Sequence, residues 1–418
     1  MRVVRGYSYK YKGREIMRRL NGSFLSVACC LMLVSTAVMA EEKRDTLRFS
    51  VASSAEWTDN RDSVADGDSN LDLYFSPRAD VVLQLERTML DLYYILSLRY
   101  RTDASELQND TDLYHNLSAD FSHSLTKMLK VKLSEKFNYT DDPSVSKGST
   151  LLRRDSSYML NTVSGDVDLQ VTEQLKSQFS GDLMIKRYDD DERSLESDEE
   201  KLGLGMQVSH QMSQEMIVAG IANFSDYGYE NSAVYDRDFQ SVTVGAAANR
   251  ALSSALRCGL RVGWTSVNYD DGMMGSDSAP YINGDVEVSL SELTRVIIGV
   301  SQSLKNSDVY PFASQVSSDV GMKMEWDPRH NVTAYGSANW RLGDYDSDTL
   351  AASGDTYLVE NGYATSGDET TLICAVGVQC TLESGVMVSL AQRLEDVDSD
   401  VSVSYTRNST TIGLSRRF

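Results

Sequence analysis

The chain has four histidines in 418 residues. His115 precedes Asn116, and Ser97 and Ser118 lie nearby in sequence. A serine, a histidine and an orienting amide are the parts of a nucleophilic hydrolase site. Serine is also common in ordinary strands, and proximity in sequence does not align an attacking oxygen, so the plainer reading is strand surface. His123, His210 and His330 fall near short turns, and no two histidines have the helical spacing that holds a metal. Two loops are rich in carboxylates. Residues 188–200 read YDDDERSLESDEE, with eight acids and one Arg, and Asp59, Asp62, Asp66 and Asp68 punctuate 56–69. Carboxylate oxygens suit Ca²⁺, but neither loop has EF-hand spacing, so solvated loops are the simpler expectation. No Gly-rich phosphate loop or Cys-rich metal motif occurs. No enzyme activity, metal or cofactor is expected.

Bulk properties narrow the classes. The formal charge is −21, which disfavours nucleic acid as a partner, because phosphate binding needs clustered Lys and Arg. A mean hydropathy of −0.33 is too polar for a bundle of membrane helices. With 22 Tyr, 10 Phe and 4 Trp, the chain is not disordered.

Residues 1–40 read as a secretory signal. Arg14, Arg18 and Arg19 precede the apolar run Phe24–Ala40, which ends Val38-Met39-Ala40, with small residues where a signal peptidase needs them. At 17 residues the run is at the lower limit for a membrane span. Met17 begins a well-shaped signal by itself and is the expected true start. Removing 1–40 takes away seven basic residues and one acid, leaving 33 against 60, a net of −27. It also takes Cys29 and Cys30. Cys258, Cys374 and Cys380 remain, an odd number that implies no disulfide framework. Residues 41–418 are expected to form one domain.

One rhythm runs through that domain. Runs of alternating apolar and polar residues are joined by very short polar turns on one side and by longer Asp/Ser/Gly-rich loops on the other. Leu90, Leu92, Tyr94, Leu96, Leu98 and Tyr100 share one face of Thr88–Arg101. Leu129, Val131, Leu133, Phe137 and Tyr139 share one face of the run from Met128. Leu202, Leu204, Met206 and Val208 form another such face, and so do Leu256, Cys258, Leu260, Val262 and Trp264. Period 2 means strands with two different faces. The spacing predicts about 18 strands (16–18), roughly 21 residues for each strand and its connection.

A propeller blade has a similar period. The strict alternation of short turns and long loops instead favours a transmembrane up-and-down antiparallel β-barrel, all-β, with periplasmic turns and extracellular loops. Aromatic residues gather at one end of the upward strands (Tyr100, Phe137, Tyr139, Trp264, Tyr269, Trp340 and Tyr345), as in a girdle at the membrane interface. Closure follows from membrane physics, because lipid cannot satisfy the backbone groups of an open edge.

If the apolar phase meets lipid, the other phase lines the lumen. Its charges are Arg99, Asp120, Lys130, Lys132, Lys136, Asp166, Asp168, Lys186, Arg257, Arg261, Asp285, Glu287, Arg295 and Arg341. Acidic and basic strands alternate around the wall. These residues are either cross-strand ion pairs bracing the barrel or a constriction that orients polar solutes. Their spread along the chain favours bracing. The 343–369 loop, containing TYLVENGYA, is expected either to fold inward as a constriction or to form an outer hairpin.

The chain ends YTRNSTTIGLSRRF, with Ile412, Leu414 and Phe418 in one phase. This looks like the closing strand of a bacterial outer-membrane protein, whose terminal aromatic is read by the barrel-insertion machinery. Further segments are similar to a family of outer-membrane β-barrel porins associated with exopolysaccharide systems. They are Glu56-Trp57-Thr58-Asp59-Asn60, Phe75-Ser76-Pro77 and Arg87-Thr88 in the first hairpin, then Leu98-Arg99-Tyr100 and Asp112–His115. At the end come Tyr405, Arg407, Asn408, Gly413, Leu414 and Phe418. The resemblance covers about the first hundred residues after the signal and the last fifteen. It implies an outer-membrane channel for polar solutes, with a link to polysaccharide export, lying among outer-membrane lipid and lipopolysaccharide. A structural or adhesive barrel with cation-binding acidic loops is the alternative. The resemblance carries over no catalytic residue.

Overall fold

The computed structural model describes residues 45–103, 110–141, 157–190, 194, 198–229, 238–270, 276–307, 309, 312, 314–345 and 366–418. The signal expected at 1–40, most of the 343–369 loop and the centre of the 188–200 loop lie outside the described residues.

Eighteen strands follow one another: β1 (Asp45–Thr58), β2 (Asn70–Gln84), β3 (Thr88–Arg101), β4 (Thr111–Ser124), β5 (Leu129–Thr140), β6 (Tyr158–Gln170), β7 (Leu175–Tyr188), β8 (Glu199–Gln211) and β9 (Met216–Tyr229), then β10 (Phe239–Ala251), β11 (Leu256–Tyr269), β12 (Ser276–Ser291), β13 (Thr294–Asn306), β14 (Ser314–Arg329), β15 (Val332–Tyr345), β16 (Gly367–Thr381), β17 (Val386–Ser399) and β18 (Tyr405–Arg417). Each strand pairs antiparallel with its neighbours in sequence, as β3 does with β2 and β4. The first strand closes the ring on the last, from Ser50↔Arg417 to Thr58↔Ser409. Every edge is thereby paired, which a sheet in hydrocarbon requires. The strands run from 12 to 16 residues, longer than the 9–11 that cross a bilayer at a tilt of about 45°, so their ends project beyond the apolar belt.

The period-2 pattern decides the two faces. Leu133, Leu183, Leu204, Val244, Leu260, Val300, Met322, Val376, Leu390, Ile412 and Leu414 stand exposed on the outside. In a soluble protein such a surface would aggregate; here lipid covers it. The turn end is built from short hairpins, such as the one closed by Leu85 N–H donating to Thr88 O at 2.8 Å. The loop end is where buried side chains collect. Cys258, Cys374 and Cys380 are free thiols, half-buried on the outer phase.

The aromatic band differs from the sequence expectation. Tyr100, Trp264 and Trp340 are exposed on the outer wall, joined there by Trp57 and Phe75. Tyr345 is fully buried, and Tyr269 packs around buried Phe239 with Tyr227 and Leu304. The cause is parity. From Trp264 to Tyr269 and from Trp340 to Tyr345 the step is odd, so the ring passes from the outer to the inner face.

Candidate functional site

The inner phase at the loop end holds the most heavily buried charges. Arg99 on β3 alternates with outward Leu98 and Tyr100, so its side chain points inward, and it is 2% exposed. Across the β2–β3 and β3–β4 ladders it stands beside Tyr74 and Asp112. Its guanidinium lies 2.9 Å from Asp141, 3.2 Å from Asp112 and 3.8 Å from Asp72. Arg101 pairs with Asp112 at 2.5 Å, and Arg99 also lies over the Tyr114 ring.

The third cation comes from the segment between β1 and β2. Arg61 turns inward and clamps Asp72 with two bonds, 2.5 Å and 3.2 Å, both side chains nearly free of solvent. It also donates to Asp103 O. The same segment is fastened on its other side to β18. Asn60 donates to Thr406 O at 3.0 Å, Arg407 donates to Ser63 Oγ at 3.1 Å, and Asp59 accepts from Asn408. Ser63 adopts a left-handed conformation, φ 56°, a conformation non-glycine residues take up only when the surroundings over-determine it. A Cβ at Gly67 would collide with the Asn60 side chain, so the fold of this loop requires glycine there. The 59–69 segment is therefore a strap, drawn inside and tied across the seam where β18, β1 and β2 meet. In the sequence this segment shows its carboxylates and the Asp59-Asn60 end of a motif, and neither places it inside the barrel. The usable signal was Arg61, one cation in an acidic loop, with Asp72 a strand away.

Beside the strap, Glu395 is fully buried and receives Arg407 at 2.6 Å, Arg393 at 3.0 Å and the Tyr405 hydroxyl at 2.5 Å. Across the lumen, Lys186 and Glu199 form a 2.8 Å pair that is almost entirely buried.

The other sequence-predicted residues occupy the inner phase nearer the turn end or midway along it. Lys132 and Lys176 flank Asp168 at 2.7 Å and 3.0 Å. Arg295 bridges Glu287 and Glu325, and Arg341 and Lys305 converge on Asp319 at 2.6 Å and 3.1 Å. Asp120 pairs with neither Lys130 nor Lys132 of the adjacent strand. The register sets Asp120 opposite Ser134, two rows from Lys132, and Ser118 bonds it instead. Asp166 accepts from Gln178. Lys186 pairs with Glu199, not with the Asp166–Asp168 strand. Arg257 faces Glu287 and Arg261 faces Asn283 in register, with Asp285 opposite Gly259. Lys136 faces Ser118.

The hydrolase parts are separated by the wall. Ser97 bonds Ser76 on the lumen side, and the His115 ring bonds the Tyr94 hydroxyl at 2.7 Å on the outer side. At the C-terminus, Ile412, Leu414 and Phe418 are 55%, 53% and 70% exposed on the outer wall.

Below the Arg99 network lies a lumenal cavity of about 320 Å³ on the β1–β5 wall. Ser54, Glu56, Tyr74, Ser76, Ser97 and Tyr114 are among the residues lining it.

Among solved structures, OccK2 (OpdF) of Pseudomonas aeruginosa resembles the chain with a TM-score of 0.50 at 10% identity, over 89% of this chain and 97% of that one. OccAB3 of Acinetobacter baumannii gives 0.49 at 10% identity, over 90% and 99%. At such identities the likeness concerns the fold alone. No curated protein matches the chain. The family described as "Putative beta-barrel porin 2" matches residues 46–418. The chain belongs to that porin family and is a porin-like barrel of the bacterial outer membrane.

Proposed function

We propose that the barrel passes small polar solutes across the outer membrane, through a lumen narrowed at its loop end by the 59–69 strap. The observation that carries this reading is the strap itself. An 18-strand barrel is wide enough for water to fill unless something enters it, and here Arg61 and Ser63 enter it, each 3% exposed. The charges of the inner phase, from Arg99 and Lys132 round to Arg341, line the path. Arg99, Lys132, Asp168, Lys186, Glu287, Arg295 and Arg341 are paired across strands, so they brace the wall while keeping it wet.

Passage of a polysaccharide is the finer reading that the family resemblance suggests. A polymer would have to thread past the strap, so this reading requires the strap to move. Residues 1–40 serve as the export signal, and Phe418 with Ile412 and Leu414 presents the insertion signal. Lipopolysaccharide surrounds the loop end.

Planar-bilayer recording tests the proposal. The purified, heat-modifiable barrel is expected to show discrete openings. Replacing residues 61–67 with a short Gly/Ser link is expected to raise the single-channel conductance. A folded barrel that never conducts overturns the reading, and unchanged conductance after shortening removes the strap from it.

A further inference from the structure

We propose that the cavity on the β1–β5 wall is a binding subsite for a single sugar ring carrying an amino group, with Glu56 as the counter-charge. The inference rests on the channel reading above and adds a ligand class to it.

Charge accounting comes first. In the network above the cavity, Arg61, Arg99 and Arg101 face Asp72, Asp112 and Asp141. Among the described residues three cations meet three carboxylates, so these six groups carry no net charge. The remaining carboxylate on the lining is that of Glu56, which alternates with outward Trp57 and so faces inward. Among the described residues Glu56 has no hydrogen bond or ion pair, and no Lys or Arg lines the cavity. A half-buried carboxylate without a partner favours a cationic group beside it.

The neutral lining selects the rest of the ligand. Ser76 and Ser97 share one hydrogen bond at 2.8 Å. Whichever donates, the other keeps a hydroxyl proton to offer. Ser54 adds a third hydroxyl. Asn116 and Asn138 face each other across the β4–β5 ladder, both on the lining, and each amide supplies donors and an acceptor. Donors and acceptors interleaved at this density match a ligand whose hydroxyls each donate and accept. Tyr74 and Tyr114 add apolar ring surface with a polar tip. The volume, about 320 Å³, lies at the small end of ligand sites, roughly 300–1,000 Å³, and suits a monosaccharide better than a chain. An anionic sugar is disfavoured, because it would set a second carboxylate beside Glu56.

The test is calorimetric titration of the purified barrel with glucosamine, glucose and glucuronate, alongside its bilayer conductance. Glucosamine is expected to bind at least about tenfold more tightly than glucose, the increment of a charge-assisted hydrogen bond, and glucuronate more weakly than either. Glu56→Gln is expected to bring glucosamine down to the level of glucose, while Glu325→Gln, at the turn end, leaves the preference intact. Equal binding of the three sugars, or none, overturns the subsite whether or not any variant folds. A preference that survives Glu56→Gln overturns the role of Glu56. A barrel that conducts but shows no preference loses only the subsite. One that binds glucosamine but never conducts loses the channel reading and keeps the subsite.

Discussion

The two ends of the lumen are built from the same residue types and behave differently. At the loop end, Arg61, Asp72 and Arg99 are only 2–3% exposed, and Glu395 is wholly covered. Toward the turn end, Arg295, Glu287, Glu325 and Lys323 form a comparable chain of contacts with side chains 29–53% exposed. The first network has been taken out of water by the strap and by neighbouring loop-end side chains. The second stands on a bare wall. In water an ion pair gains little, because solvent screens it and long side chains lose freedom. Out of water, each charge has already lost its hydration, and removing one partner strands the other. The comparison therefore separates charges that hold the molecule in one shape from charges that merely keep the wall polar.

Substitutions break this comparison in a definite order. Arg99→Ala leaves Asp112 and Asp141 short of a cation in a dry site, and a loss of roughly 3–5 kcal/mol is expected. It would be read as a lowered urea midpoint for the barrel refolded in vesicles. Asp319→Asn comes next. Asp319 is 14% exposed and shared by Arg341 and Lys305, and a cost of about 1–3 kcal/mol is expected on the same assay. Glu325→Gln, on the open wall, is expected to cost about 0.2–1 kcal/mol, and less as salt rises. An equal cost for Arg99→Ala and Glu325→Gln would abolish the distinction between the two ends. Salt sharpens it, because raising ionic strength should erase the Glu325 effect and leave the Arg99 effect in place.

Much of the wall could be read from the chain. Strand Thr88–Arg101 coincides with β3, and its Leu and Tyr positions lie on the outer phase as period 2 requires. Pairing between sequence-adjacent strands was partly legible as well, because the alternation of acidic and basic strands sets Glu287 beside Arg295. Asp120 and Lys186 show where this stopped. Which row of β5 meets Asp120 depends on register, and a shift of two residues exchanges serine for lysine. The Tyr269 and Tyr345 rings were misplaced by counting ends instead of parity. The strap was missed because a loop has no periodicity. Its path is set by contacts with residues hundreds of positions away, Asn60 with Thr406 among them.

By itself the sequence determined the approximate strand count, the two-faced wall and the hairpin order, because each follows from a local pattern of period 2 repeated between short turns; the family came from the resemblance of short motifs near the two ends of the barrel domain. Tertiary structure decided which charges lose their water, where the lumen narrows and which carboxylate is left unpaired beside the cavity. Those properties belong to groups brought together from different strands and from a loop folded inward, and no local pattern records the distance between them.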